Sequence, residues 1–122
     1  MPTPAHRLVH ARQAVLDDMA DYLEELGATE AGYGPEHVES VRKILEGFET
    51  TWKDLLASPS EGSFHVALAQ AIDALNALND GCDFCLIETA QRELLAQYFN
   101  QASQALGLSV PGDDVTEELR DW

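Results

Sequence analysis

Apolar side chains return every third or fourth residue along four stretches of this chain, with glycine and proline between them. At about 100° of rotation per residue, that spacing lays them on one stripe of an α-helix. No sustained alternation with a period of two competes as a strand signal. In the first stretch, from about Pro4 to Leu26, the stripe is Leu8, Val15, Met19, Tyr22, Leu23 and Leu26. Thr3 is a suitable N-cap, and Pro4 sits at a first helical position, where its missing N–H costs nothing. Gly27 supplies the left-handed residue that ends a helix, and 28–34 reads as a short polar loop.

The second helix is predicted over Pro35 to about Ala57, with Val38, Val41, Leu45, Phe48, Trp52 and Leu55 at alternating steps of three and four. Ser58 and Glu61 have capping-box spacing around Pro59, so a third helix starts there or, because Gly62 blurs the boundary, from Ser63. It carries Phe64, Leu68, Ala71, Ile72, Leu75 and Leu78 and stops at 79–81. After the loop Cys82–Ile87, Thr89 is the expected cap of a fourth helix bearing Leu94, Leu95, Tyr98, Ala102 and Ala105, which Gly107 ends. A turn through Pro111 and Gly112 leads to a last short helix, where Asp114 and Glu117 again have capping-box spacing, finishing at Trp122.

Four long helices joined by connections of about two to eight residues imply antiparallel neighbours. The expectation is an all-α, up-down-up-down four-helix bundle with a short C-terminal helix, forming one domain over residues 1–122. Such a bundle places the 27–35 and 79–88 loops at the same end. Ala67, Ala71 and Ala74 lie together beside the third stripe, where small side chains let another helix approach closely. Homodimerisation through that face is compatible with either functional reading below.

The chain has 22 acidic and 7 basic residues, a formal net charge of −15. Phosphate backbones require Lys and Arg to displace counterions, so nucleic acid and anionic membranes are poor partners for this field. A basic protein would be steered towards it. No apolar run approaches the roughly 20 residues needed to cross a bilayer. The first residues lack the apolar stretch of a secretory signal, which makes the cytoplasm, with its reduced thiols, the expected location. Arginine in excess of lysine, with abundant alanine, suits a GC-rich bacterial genome.

Motifs of catalysis are few. Glu-x-x-His, the signature of ferritin-like metal bundles, does not occur, and the seams are filled by Leu, Val, Phe and Trp, leaving no carboxylate cluster in the core. His6 and His10 stand four apart but fall about 160° from the apolar stripe, so they read as an exposed pair. No nucleophile elbow and no phosphate-cradling glycine loop appears. The expectation is therefore a non-enzyme with no cofactor.

Cys82-Asp83-Phe84-Cys85 is the densest motif with chemistry in it. It lacks the βαβ context of thioredoxin-like sites and the second cysteine pair of a structural zinc site. At the shared loop end, His37 could approach it, making Cys82, Cys85 and His37 a candidate metal or redox set. The simpler reading is that both cysteines act as small hydrophobes in a loop. Just beyond, Glu88 and Thr89 sit where side-chain oxygens accept the free N–H groups of a helix start, and Gln91 faces the apolar side.

Three segments together carry a resemblance: Leu75-Asn76-Ala77-Leu78-Asn79, Leu86-Ile87-Glu88-Thr89-Ala90-Gln91-Arg92-Glu93, and Thr116-Glu117-Glu118-Leu119-Arg120-Asp121-Trp122. In this order they are similar to the LNxLN, LIETxQRE and TEExRxW pattern of a family of small acidic bacterial proteins without an assigned activity. The resemblance covers the last part of the chain and implies a helical fold, with no catalytic residues to carry over. Ala90 stands where that family carries an acid, and Leu119 where it carries Trp.

Two functional readings follow. The first is a non-enzymatic protein–protein interaction module, similar to the immunity proteins that neutralise basic toxins by charge and a few aromatic anchors. Its candidate partner-binding residues are Tyr33, Phe84, Glu88, Arg92 and Trp122, with the three aromatics expected in exposed loops or at the terminus. The second is a small-ligand or metal-binding bundle that uses a pocket between helices or the Cys82/Cys85 loop.

Overall fold

A computed structural model of the chain describes residues 3–108 and 114–122. The four stripes become α1 (Pro4–Ala31), α2 (Pro35–Ala57), α3 (Glu61–Gly81) and α4 (Thr89–Ala105), and no strand occurs among the described residues. Thr3 Oγ1 accepts from His6 N at 3.1 Å, the N-cap read from the sequence. Gly27 leaves the helical region, with φ 79° and ψ 159°, but α1 resumes for one more turn, and Gly32 (φ 83°) closes it. That turn seats Ala31 in the core and brings in Tyr33, whose hydroxyl donates to Met19 O at 2.9 Å.

Two other helix starts lie one or two residues from their expected caps. Ser60, rather than Ser58, caps α3, its Oγ accepting from Ser63 N at 3.2 Å. Ser58 is occupied as the C-cap of α2. At α4 the N-cap is Glu88 rather than Thr89, and Gln91 Oε1 accepts from Glu88 N at 3.1 Å.

Consecutive helices run antiparallel. Trp52 Nε1 donates to Ala102 O, and the Tyr98 hydroxyl reaches Leu45 O, so α2 and α4 run in the same direction. Arg12 of α1 meets Glu46 of α2, while Asp18 meets Gln91 at the start of α4, which sets α1 against both. Phe48, Phe64, Tyr98 and Phe99 interlock near the middle, with Phe48 and Phe99 edge to face at 5.1 Å. This is the expected up-down-up-down bundle.

The closest helix pairs are α1 with α4, α2 with α3, and α1 with α2. Between α3 and α4 lies the C-terminal segment. Asn76 of α3 donates to Leu119 O and accepts from Asp121 N, both at 3.0 Å, and Asn100 of α4 accepts from Val115 N at 2.9 Å. Thr116 is buried between them. The segment forms turns over 115–119, not the expected short helix: Asp114 Oδ1 accepts from both Thr116 N and Thr116 Oγ1, and the two asparagines take up backbone groups on either side. The expected turn through Pro111 and Gly112 lies outside the described residues.

The alanine face of α3 packs towards α2. Ala67 and Ala71 are buried, and with Ala74 they border Gly47 and Thr51 of α2. Small residues on both helices permit that close approach and leave a shallow groove between them. No helix is long and apolar enough to cross a membrane among the described residues.

Candidate functional site

At one end of the bundle the α1–α2 turn meets the loop between α3 and α4, as the topology requires. Asn79, in the last turn of α3, builds that loop from within. Its side-chain Oδ1 accepts from Leu86 N at 3.1 Å and Ile87 N at 2.9 Å, and its backbone carbonyl accepts from Cys82 N and Phe84 N. Asn79, Leu86 and Ile87 are all buried. Between these anchors the chain makes a tight tip: Cys85 N donates to Cys82 O at 3.2 Å, and both residues between have positive φ, Asp83 at 55° and Phe84 at 63°. Aspartate tolerates that region; a phenylalanine is rare there. The Phe84 side chain is 55% exposed, one of few large apolar side chains that the fold leaves in water.

Gly32 of the neighbouring turn lies against this tip. A Cβ there would stand 2.7 Å from Cys85 Cβ and 2.9 Å from its Sγ. Cys82 is buried and Cys85 half-buried, and both are free thiols. Burial first, and then the nearby Cys85, Asp83 and Glu36, push the Cys82 thiol up.

Where the second half of α1 meets the start of α4, an open cleft of about 320 Å³ is bordered by Asp18, Asp21, Tyr22, Glu25 and Glu88. Asp18 ties the two helices by accepting from Gln91 Nε2 at 2.7 Å. The Tyr22 ring stacks on that of Tyr33 at 6.4 Å, and the Glu88 charge, followed by burial, raises the Tyr22 hydroxyl above its ordinary range. Burial first, then its neighbours Tyr22, Asp18 and Glu88, push the Tyr33 hydroxyl up to about 12.

The structure gathers Cys82, Cys85, Phe84 and Glu88 at this end and corrects two expectations about the rest. Tyr33 is not an exposed anchor but only 2% exposed, because its hydroxyl finds a partner in the Met19 carbonyl. His37 is not drawn to the cysteines: its Nδ1 accepts from Gly34 N at 2.9 Å, at the start of its own helix. Among the described residues, no three His, Cys, Asp or Glu side chains are placed to hold a metal ion. Arg92 is half-buried on α4. Trp122 is half-buried on the C-terminal segment, with the Arg120 guanidinium 5.7 Å from its ring centre.

Several groups escaped the sequence reading. Asp18, Asp21 and Glu25 follow helical spacing on α1, a pattern that by itself marks no site; only the approach of α4 makes them a cleft wall. Glu49 is a carboxylate inside the core, 4% exposed, where the seam was expected to be wholly apolar. Its position four after Leu45 on the apolar side of α2 was the available signal.

No protein-family model, no curated protein and no solved structure matches the chain.

Proposed function

We propose that this protein is a protein–protein interaction module that presents the loop end of its bundle to a basic partner. One observation carries the reading: Phe84 stands exposed on a hydrogen-bonded tip, and four residues further on Glu88 joins Asp18, Asp21 and Glu25 around Tyr22 in a cleft. A projecting aromatic anchor rimmed by charge is the composition of a binding hot spot. The anchor removes apolar area from water, while the acids steer a lysine- or arginine-rich surface into register and raise its association rate. The net charge of −15 extends the same field over the molecule. Tyr22 adds an aromatic face on which a guanidinium can rest. Immunity proteins that neutralise basic toxins work through this combination, and it supports that role for the chain.

The test compares the immobilised wild-type protein with Phe84→Ala and Glu88→Lys on native lysate, at low and high salt. The reading expects one basic protein retained by the wild type at low salt, released by high salt and weakened by each substitution. Equal retention by all three proteins, or no specific retention, overturns it.

A further inference from the structure

The tip that presents Phe84 is framed by two sulfurs for which docking has no use. Cys82 and Cys85 are the first and fourth residues of a hydrogen-bonded turn, closed by Cys85 N on Cys82 O at 3.2 Å. Such a turn holds its end Cα atoms within about 7 Å, and a disulfide spans Cα separations of about 4.4–6.8 Å. The turn is anchored on its Cys82 side and at Phe84 by the Asn79 carbonyl, so the residues that carry the two sulfurs are held near each other before any bond forms. The thiols differ in access: Cys82 is buried, whereas Cys85 is half-buried and leans on Gly32.

We propose that Cys82 and Cys85 are a thiol–disulfide exchange site that takes small-molecule disulfides, with Cys85 as the attacking sulfur and Cys82 as the resolving one. Cys85 gives its proton to solvent, and the thiolate attacks one sulfur of a disulfide such as oxidised glutathione. The S–S bond of the small molecule breaks and one glutathione thiolate leaves, taking up a proton. Cys82, deprotonated in turn, attacks Cys85 Sγ and expels the second glutathione. Two protein thiols are thereby oxidised to one disulfide, and one glutathione disulfide is reduced to two thiols. The order follows access, since only Cys85 can be reached from outside. Because Asp83 and Phe84 lie inside the ring so closed, the sulfur state sets how the tip carries its aromatic side chain. The site stands whether or not a basic partner docks there.

The experiment equilibrates the whole chain over a series of reduced-to-oxidised glutathione ratios, blocks remaining thiols by alkylation, and reads the intact mass. The wild type is expected to pass to a form lighter by two hydrogens, with no glutathione attached, and to return on adding excess reduced glutathione. Cys82→Ser is expected to stop with one glutathione on Cys85, and Cys85→Ser to stay unmodified, each checked for helicity by circular dichroism. A wild type that keeps both thiols across the series, or that collects glutathione without closing the internal bond, overturns the proposal. The wild-type series decides this even if a serine variant fails to fold.

Discussion

The Tyr98 hydroxyl donates to the Glu49 carboxylate at 2.9 Å, joining α4 to α2 through a charge that water hardly reaches. Arg12 of α1 completes the group, with its NH1 3.5 Å from Glu49 Oε2 and 3.2 Å from Glu46 Oε2. Tyr98→Phe keeps the ring packing and removes only the donor. Leaving a buried carboxylate short of a partner costs about 1–3 kcal/mol, read as a lower urea midpoint with an unchanged slope.

Glu49 also sets a pH dependence. Burial raises its carboxyl above the ordinary value, and the Tyr98 hydrogen bond and Arg12 oppose that only in part. A group that holds its proton more tightly when folded stabilises the fold in acid, and that contribution is lost as pH rises from the usual carboxylate range through the raised folded value. Glu49→Gln removes the titration while keeping an oxygen for Tyr98. Melting temperatures of the two proteins, followed from neutral pH down to weak acid, should show the wild type gaining more than the variant.

Charge acts on the whole molecule as well. With 22 acids against 7 bases, the compact state repels itself. Among the described residues local relief is limited: Arg12 meets Glu46 and Glu49, Arg42 bridges Glu39 and Glu46 on the surface of α2, and Arg120 meets Asp114. Added monovalent salt should therefore raise the melting temperature. A melting temperature indifferent to salt would mean that the acids are already compensated.

Gly32 and Gly107 separate backbone strain from steric contact. Both have positive φ, at 83° and 75°, but a Cβ at Gly107 meets nothing within 4 Å, whereas one at Gly32 strikes Cys85. Gly107→Ala should cost about 1–2 kcal/mol from the left-handed backbone alone. Gly32→Ala should cost a further 1–3 kcal/mol or so, the usual penalty for overfilling a packed site. Denaturant unfolding of the pair measures the difference.

Asn79 should prove the most sensitive residue of the loop end. Asn79→Ala strips the acceptor from two buried N–H groups, those of Leu86 and Ile87. The expected loss is about 2 kcal/mol or more. Faster amide exchange should be concentrated in 82–88, while the middle of α2 stays protected.

What could be read along the chain follows from local physics. Helical spacing of apolar residues located α1 to α4. Thr3, Pro4 and Pro35 were legible because capping and proline effects reach only a few residues. Phe84 was legible as a loop aromatic next to a helix stop. Helix ends shifted by about one turn at Gly27, by two residues at Ser58 and by one at Thr89, because a second residue within a few positions could also cap and packing chose between them.

The sequence alone determined that four amphipathic helices form, in what order, and which loops share an end, since stripe spacing and short connections leave little other choice. Tertiary structure decided that Tyr33 is buried beneath Tyr22, that His37 caps a helix instead of facing the cysteines, and that Glu49 lies in the core. It also decided that the chain's end lies as turns between α3 and α4. Each of these depends on a hydrogen-bond partner or packing neighbour from elsewhere in the chain, and a local pattern cannot name which distant group will satisfy a buried polar atom.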